Sequence, residues 1–190
     1  VQLFEQAKLP VMQVLAYGEK TFLGVPVASL LVVNDVNGKA FQDVFTNETR
    51  SNRKKLAYAL GSLTAAVHNA GINSIVRTQD TLCTGKPSTN YQDCLTVIDR
   101  EHGDLYQQQL DLDTRTNQIA RVYIQSIQQC KHTTRNELLA FLAGYFKNAS
   151  TEEKRAFPQT VLDQIIRRLS VPKRQHILKQ VEHILTPGKN

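Results

Sequence analysis

The stretch from Leu56 to Asp99 constrains the fold of this chain more than any other. Its first part reads as a helix, because apolar residues recur at spacings of four, three and four on one helical face, at Leu56, Leu60, Leu63 and Val67. Gly71 follows where a helix end favours a residue that accepts positive φ. After a polar loop, a short β-prone run at 94–98 leads directly to Asp99. This order predicts a site where a helix exit and an acid-terminated strand meet.

Two segments of this stretch resemble the catalytic-loop region of bacterial lipopolysaccharide core kinases, the heptose and Kdo kinases. The first is His68–Asn73, with the sequence HNAGIN, and the second is Leu95–Arg100, with the sequence LTVIDR. Residues 15–33 resemble that family's strands before the hinge, and residues 115–146 resemble its late helices. The segments occur in matching order, so the resemblance extends over roughly residues 1–147.

The resemblance implies an α+β, protein-kinase-like fold, mainly the helical carboxy-terminal lobe with a few strands of the small lobe. A length of 190 residues agrees with a single domain. We therefore expect one kinase-like domain over 1–190, in which 1–35 form a remnant small lobe and hinge and 36–190 form the helical lobe.

The same resemblance implies ATP-dependent phosphorylation of a lipopolysaccharide core sugar, with Mg²⁺. Asp99 would hold the metal, because Mg²⁺ prefers oxygen ligands. The alternative is a strand-end carboxylate that pairs with Arg100 or Arg121. At the hinge, Asn34 and Asp35 would meet the adenine, although an Asn-rich turn explains the same residues without a ligand.

The catalytic loop departs from the family pattern, in which His-Arg-Asp follows the Gly-Ile/Val-Asn step. Here Ser74-Ile75-Val76 follows Asn73. An ungapped match puts Val76 at the catalytic aspartate and Thr81 at a polar metal-binding position. A slip of four residues instead brings Asp80 to the site as a substitute base. For His68, at the end of the helix, we predict a structural role beneath this loop.

Two functions from different classes stay open at this point. One is an ATP-dependent sugar kinase with Asp80 near the acceptor and Asp99 on the metal. The other is a non-catalytic pseudokinase, or a fragment, that acts as a binding module. The missing His-Arg-Asp triplet favours the second, as does the absence from these 190 residues of a Gly-rich loop with its strand lysine.

Charge and hydropathy bear on partners and location. The net charge is +6 and the pI about 9.3, which favours an anionic partner such as a phosphorylated glycolipid or the inner-membrane surface. A nucleic-acid partner is not indicated, since no aromatic residues interleave with the densest basic segment, 50–55. No apolar run approaches the ~20 residues of a membrane span, and no signal peptide opens the chain. We expect a cytoplasmic protein, peripheral to the inner membrane if it binds membrane at all.

The carboxy-terminal segment 150–190 holds eight basic and four acidic residues, so +4 of the charge resides there. Its amphipathic helices, expected at 161–169 and 172–185, would lie on an anionic leaflet or form the solvated outside of a bundle. Capping-box patterns predict helix starts after Thr134 and after Ser150.

Other local predictions concern strands and thiols. Residues 11–17 read as a strand and 18–20 as a turn, and the nearly unbroken apolar run 27–33 predicts a strand buried on both faces. The segment 40–49 reads as a short helix, and a further helix is expected at 118–127. The three cysteines lack Cys-x-x-Cys spacing, so we expect reduced thiols rather than a zinc site, at Cys83, Cys94 and Cys130.

Overall fold

A computed structural model describes residues 2–98, 104–105 and 109–169 of the chain. The helices are α1 Gln2–Gln6, α2 Phe41–Asn47, α3 Arg50–Asn69, α4 Leu112–Gln129, α5 Arg135–Tyr145 and α6 Thr151–Leu169. The strands are β1 Val14–Phe22, β2 Val25–Val33, β3 Lys39–Ala40, β4 Ile72–Asn73, β5 Thr81–Cys83, β6 Leu95–Val97 and β7 Asp104–Leu105. Short 3₁₀ turns occupy Thr78–Asp80 and Tyr91–Asp93.

Helix α3 is the centre of the core. The face predicted from the sequence is confirmed, because all four of its apolar residues are buried, namely Leu56, Leu60, Leu63 and Val67. Thr49 caps the start of the helix, because its hydroxyl accepts from the Asn52 backbone N–H at 3.3 Å. Gly71, with φ of +73°, ends the helical path as predicted.

Helix α5 packs against α3 with almost no space between the two backbones. A Cβ atom added to Gly61 would lie 2.0 Å from the Phe141 carbonyl oxygen, and one added to Gly144 would lie 2.0 Å from the Tyr58 carbonyl oxygen. The Ser62 hydroxyl donates to the Gly144 carbonyl at 3.2 Å. Only glycine at these two positions permits such an approach, so the pair forms a rigid unit.

The β1–β2 hairpin corrects two predictions. Residues 18–20, predicted as a turn, lie inside β1, and the turn is Leu23–Gly24, where φ is +50° and +77°. Positive φ at both central residues is the requirement of the tight hairpin turn that matches strand twist. The apolar run 27–33 does form a strand, but the prediction of burial on both faces was wrong, because every β2 residue except Val33 is exposed. An apolar run indicates burial only where another element covers the strand.

A three-stranded antiparallel sheet, in the order β3-β5-β6, lies beside the helical core. The predicted strand at 94–98 is confirmed as β6. The segment before the hairpin lies along β6, where Val11 bridges Val97 in parallel. The Met12 N–H donates to the Val97 carbonyl, and the Val97 N–H donates to the Pro10 carbonyl, both at 3.0 Å. The entrance to the hairpin is thus joined to this sheet.

The later helices follow the sequence closely. The capping box at Thr134 is confirmed on α5, and the Ser150 hydroxyl accepts from the Glu153 N–H at the start of α6. Helix α6 therefore begins directly after Ser150, as the capping pattern predicted, and includes the helix expected at 161–169. Helix α4 begins at 112, after its Asp111 cap, rather than at 118. Strand β7 pairs with β4 in antiparallel orientation. The predicted helix 172–185 lies outside the described residues.

No helix among the described residues is both long and apolar enough to cross a membrane.

Candidate functional site

The bend that follows β4, residues 74–80, is where the predicted catalytic and metal-binding segments meet. The Ile98 N–H, just after β6, donates to the Asp80 carbonyl at 2.9 Å. This bond places the end of the acid-terminated strand directly on the bend. Asp99 itself, the predicted metal ligand, lies outside the described residues.

The Asp80 side chain is buried, with 3% of the residue exposed. Its carboxylate pairs with the guanidinium of Arg77, three residues earlier. The Thr81 hydroxyl donates to the Arg77 carbonyl at 2.8 Å. Arg77 is therefore bound through both its side chain and its backbone, which stabilises the turn. In this arrangement Asp80 stabilises the bend, and its role as a substitute base stays a prediction. The carboxylate is shielded from solvent by its burial, and its Oδ2 is already paired with Arg77.

The ungapped match to the family's catalytic loop places two fully buried residues at functional positions. Val76, which it puts at the catalytic aspartate position, is fully buried, and its hydrocarbon side chain cannot take a proton. Thr81, at the expected polar metal-binding position, is fully buried too, with its hydroxyl bound to the Arg77 carbonyl.

The predicted hinge lies at the base of the hairpin. The Asn34 N–H donates to the Gln13 carbonyl at 3.0 Å, and the Gln13 N–H donates to the Asn34 side-chain oxygen at 2.7 Å. Asn34 is therefore half-buried and holds the strand ends together, while Asp35 is exposed. Because residues 10–12 pair with β6, the hinge and the strand leading to Asp99 are fastened to the same sheet.

A cavity of about 650 Å³ adjoins the hinge. It is lined by residues 37–39, which follow the hinge, by α2 with Glu48 at its end, and by residues 83–87. Asn34 and Asp35 are not among its lining residues. Its volume is in the range of small-molecule sites, about 300–1,000 Å³.

His68 occupies a buried position at the end of α3. Its Nδ1 lies 2.8 Å from the Tyr145 hydroxyl, and its carbonyl accepts from the Leu110 N–H at 3.3 Å. These contacts fit the structural role predicted for it. Burial raises the pKa of Tyr145 well above its ordinary value.

Whether this site can hold a metal ion depends on Asp99, which lies outside the described residues. Among the described residues, no three His, Cys, Asp or Glu side chains are grouped so as to hold a metal ion, and Asp80 is engaged by Arg77. Mg²⁺ in nucleotide sites needs one or two carboxylates, with phosphate and water oxygens completing its shell. A single carboxylate at Asp99 is compatible with that requirement.

The three cysteine side chains lie in the hydrophobic core. Cys83, Cys94 and Cys130 are free and buried, as predicted for reduced thiols. Burial raises the pKa of Cys83 and of Cys130 to about 12, which leaves both protonated and unreactive near neutral pH.

A second cavity, of about 520 Å³, lies along α3 and the end of α5. It shares no lining residue with the bend, the hinge or β6. Sequence reasoning missed it. The only signal was the row of small residues on the outer side of α3, at Ser62, Ala65 and Ala66.

Comparison with known proteins decides the fold. No family model matches the sequence, and no curated protein matches it. A solved structure described as WaaP in complex with acyl carrier protein is similar, with a TM-score of 0.66 and 22% sequence identity, over 88% of this chain and 71% of that chain. This chain has a kinase-like α+β fold. The predicted fold class is confirmed.

Proposed function

We propose that this protein is related by ancestry to the lipopolysaccharide core sugar kinases and binds ATP with Mg²⁺ between hinge and bend. The observation that carries the proposal is the Ile98–Asp80 hydrogen bond in a kinase-like fold. It fastens the strand before Asp99 to the loop that carries the other candidate carboxylate.

Each candidate residue has a separate role in this proposal. Backbone groups at Asn34 and Asp35 bind the adenine, and Asp99 holds the metal. Mg²⁺, when bound, neutralises charge on the phosphate oxygens. Asp80 is the base for the acceptor sugar hydroxyl, provided that its pair with Arg77 opens when the acceptor binds. A transfer rate well below that of a kinase with an accessible aspartate follows from this requirement.

The test is transfer of labelled phosphate from ATP to purified lipopolysaccharide core in the presence of Mg²⁺. We expect slow transfer by the wild type, loss with Asp99→Ala, and unchanged transfer with the control Asp93→Ala, an exposed acid near β6. Transfer that persists in Asp99→Ala would contradict the metal role. Transfer that persists in Asp80→Asn would leave Asp80 as a stabiliser of the bend only.

A second function, a non-catalytic binding module, is favoured by one observation. Val76 is fully buried at the position of the family's catalytic aspartate. Wild-type protein that binds Mg²⁺-ATP without transferring phosphate would support a pseudokinase. Protein that neither binds ATP nor transfers phosphate would support a binding module that has lost the ability to bind nucleotide.

The partners and the location follow from charge and from the similar structure. We propose a cytoplasmic protein that meets an anionic glycolipid at the inner-membrane surface, since the net charge is +6. The WaaP structure is a complex with acyl carrier protein, so that carrier is a second candidate partner. Sedimentation with anionic against neutral vesicles tests the first, and titration with purified acyl carrier protein tests the second.

A further inference from the structure

The 520 Å³ cavity on the outer side of α3 has a floor of small residues. Ser62, Ala65 and Ala66 leave space there that longer side chains would fill. The floor is also rigid, because Gly61 and Gly144 fix the distance between α3 and α5. A preformed concave site on packed helices keeps its shape without a ligand.

The rim of the cavity is rich in uncharged polar groups. Asn69, Asn90, Gln109 and Asn148 are all exposed, and each side-chain amide has two donor hydrogens and an acceptor oxygen. Gln109 Nε2 donates to Asn69 Oδ1 at 2.7 Å, and Asn90 Oδ1 accepts from the Gln92 N–H at 3.4 Å. Two half-buried aromatic rings, Tyr58 and Tyr91, also line it. Amides beside aromatic rings suit a ligand that carries many hydroxyl groups on a compact ring, which is the chemistry of a sugar.

The charge of the cavity leaves room for one anionic group. Arg115 Nη2 lies 3.1 Å from Glu153 Oε1, and the bonds from Arg115 and from the Ser150 N–H hold the pKa of Glu153 below its usual value. These two charges compensate each other. Lys147 is exposed and, among the described residues, has no acidic partner within ion-pair distance. Two cations and one carboxylate thus give the lining a net charge of +1.

We propose that this cavity binds an anionic monosaccharide, with Lys147 on the acidic group and the rim amides on the hydroxyls. The site goes beyond the proposed phosphoryl transfer, since it shares no residue with the hinge or the bend. ATP is a poor match, because its several phosphate charges exceed a net charge of +1.

The test compares glucuronate with glucose, which differ at one carbon by a carboxylate, in calorimetric titrations of the whole 190-residue chain. We expect glucuronate to bind at least about tenfold more tightly than glucose, which is the low end for one charge-assisted hydrogen bond. Lys147→Gln should weaken glucuronate binding by a similar factor and leave glucose unchanged. The matched control, Lys131→Gln, changes an exposed lysine outside the cavity and should bind both sugars as the wild type does.

A second variant, Gln109→Ala, removes a rim amide at an exposed position and should weaken both sugars alike. Absence of glucuronate binding at millimolar concentration would overturn the proposal. So would equal affinity for both sugars, or displacement of glucuronate by Mg²⁺-ATP. Glucuronate binding that survives in Asp99→Ala, while ATP binding is lost, would separate this site from the proposed function.

Discussion

The β1–β2 hairpin and the α3–α5 helix pair are both rich in apolar residues, but the hairpin is exposed to solvent and the helix pair is packed in the core. In the hairpin, large side chains face solvent on both sides, with Leu23 88% exposed and Leu15 64% exposed. In the helix pair, the backbones touch at Gly61 and Gly144. The comparison teaches that apolar content alone does not locate the core. What covers an element decides whether its apolar residues stabilise the fold.

Substitution of Gly144, where the two helix backbones touch, should have the largest effect on the free energy of unfolding. In Gly144→Val the new Cβ would lie 2.0 Å from the Tyr58 carbonyl oxygen, so the helices must separate. We expect a loss of about 3 kcal/mol or more in the free energy of unfolding, measured by urea denaturation. The matched change in the hairpin is Gly18→Ala, whose Cβ would meet only Leu30 Cβ at 4.0 Å. Its effect should stay within about 0.5 kcal/mol, and equal losses would break the comparison.

Truncation of one leucine in each pair should also affect the free energy of unfolding differently, but the two effects should be closer than for the glycines. Leu63 is fully buried on α3, so Leu63→Ala should cost about 2–5 kcal/mol through lost burial and a residual cavity. Leu30 is 64% exposed on β2, and Leu30→Ala should change the stability by less than about 0.5 kcal/mol. A large loss from Leu30→Ala, measured by the same denaturation, would indicate that the hairpin is covered in solution.

Tyrosine titration should distinguish the two regions by cause. Both Tyr145 and Tyr17 have a raised pKa, by burial in the helix pair and chiefly by the bond to Glu19 in the hairpin, where the Tyr17 hydroxyl donates at 2.6 Å. Since the folded pKa of Tyr145 exceeds its unfolded value near 10, its contribution to stability is present below pH 10 and lost as the pH rises further.

The variant for this test is Glu19→Gln, followed by ultraviolet difference titration against wild type. It should return the pKa of Tyr17 toward its ordinary value and leave Tyr145 unchanged. Tyr145 should titrate only as the protein unfolds. Early, reversible ionisation of Tyr145 would show that the helix pair admits water.

A charge at the tip of the hairpin should have the smallest effect on stability. Leu23→Asp replaces the most exposed apolar side chain among the described residues. We expect an unchanged melting temperature but reduced binding of a hydrophobic dye, because the exposed apolar surface becomes smaller. Unchanged dye binding would place the accessible apolar surface elsewhere.

The sequence predicted the helical core better than the hairpin, for a physical reason. A helix face such as Leu56 to Val67 and a capping box such as Thr134 to Glu137 are local patterns, and both are confirmed. The exposure of 27–33 depends on what lies beside it, which no local pattern carries. The ion pair of Asp80 with Arg77 arises from one turn of 3₁₀ helix, whose side-chain directions were not readable from the sequence.

The most direct test of the account is the melting temperature with and without Mg²⁺-ATP, in wild type and in Asp99→Ala. A ligand that binds only the native state must stabilise it, by about 2.7 kcal/mol at a hundred times its Kd. The account predicts a rise of several degrees in wild type that needs Mg²⁺ and is absent in Asp99→Ala. No rise in wild type, or an equal rise in both proteins, would contradict it.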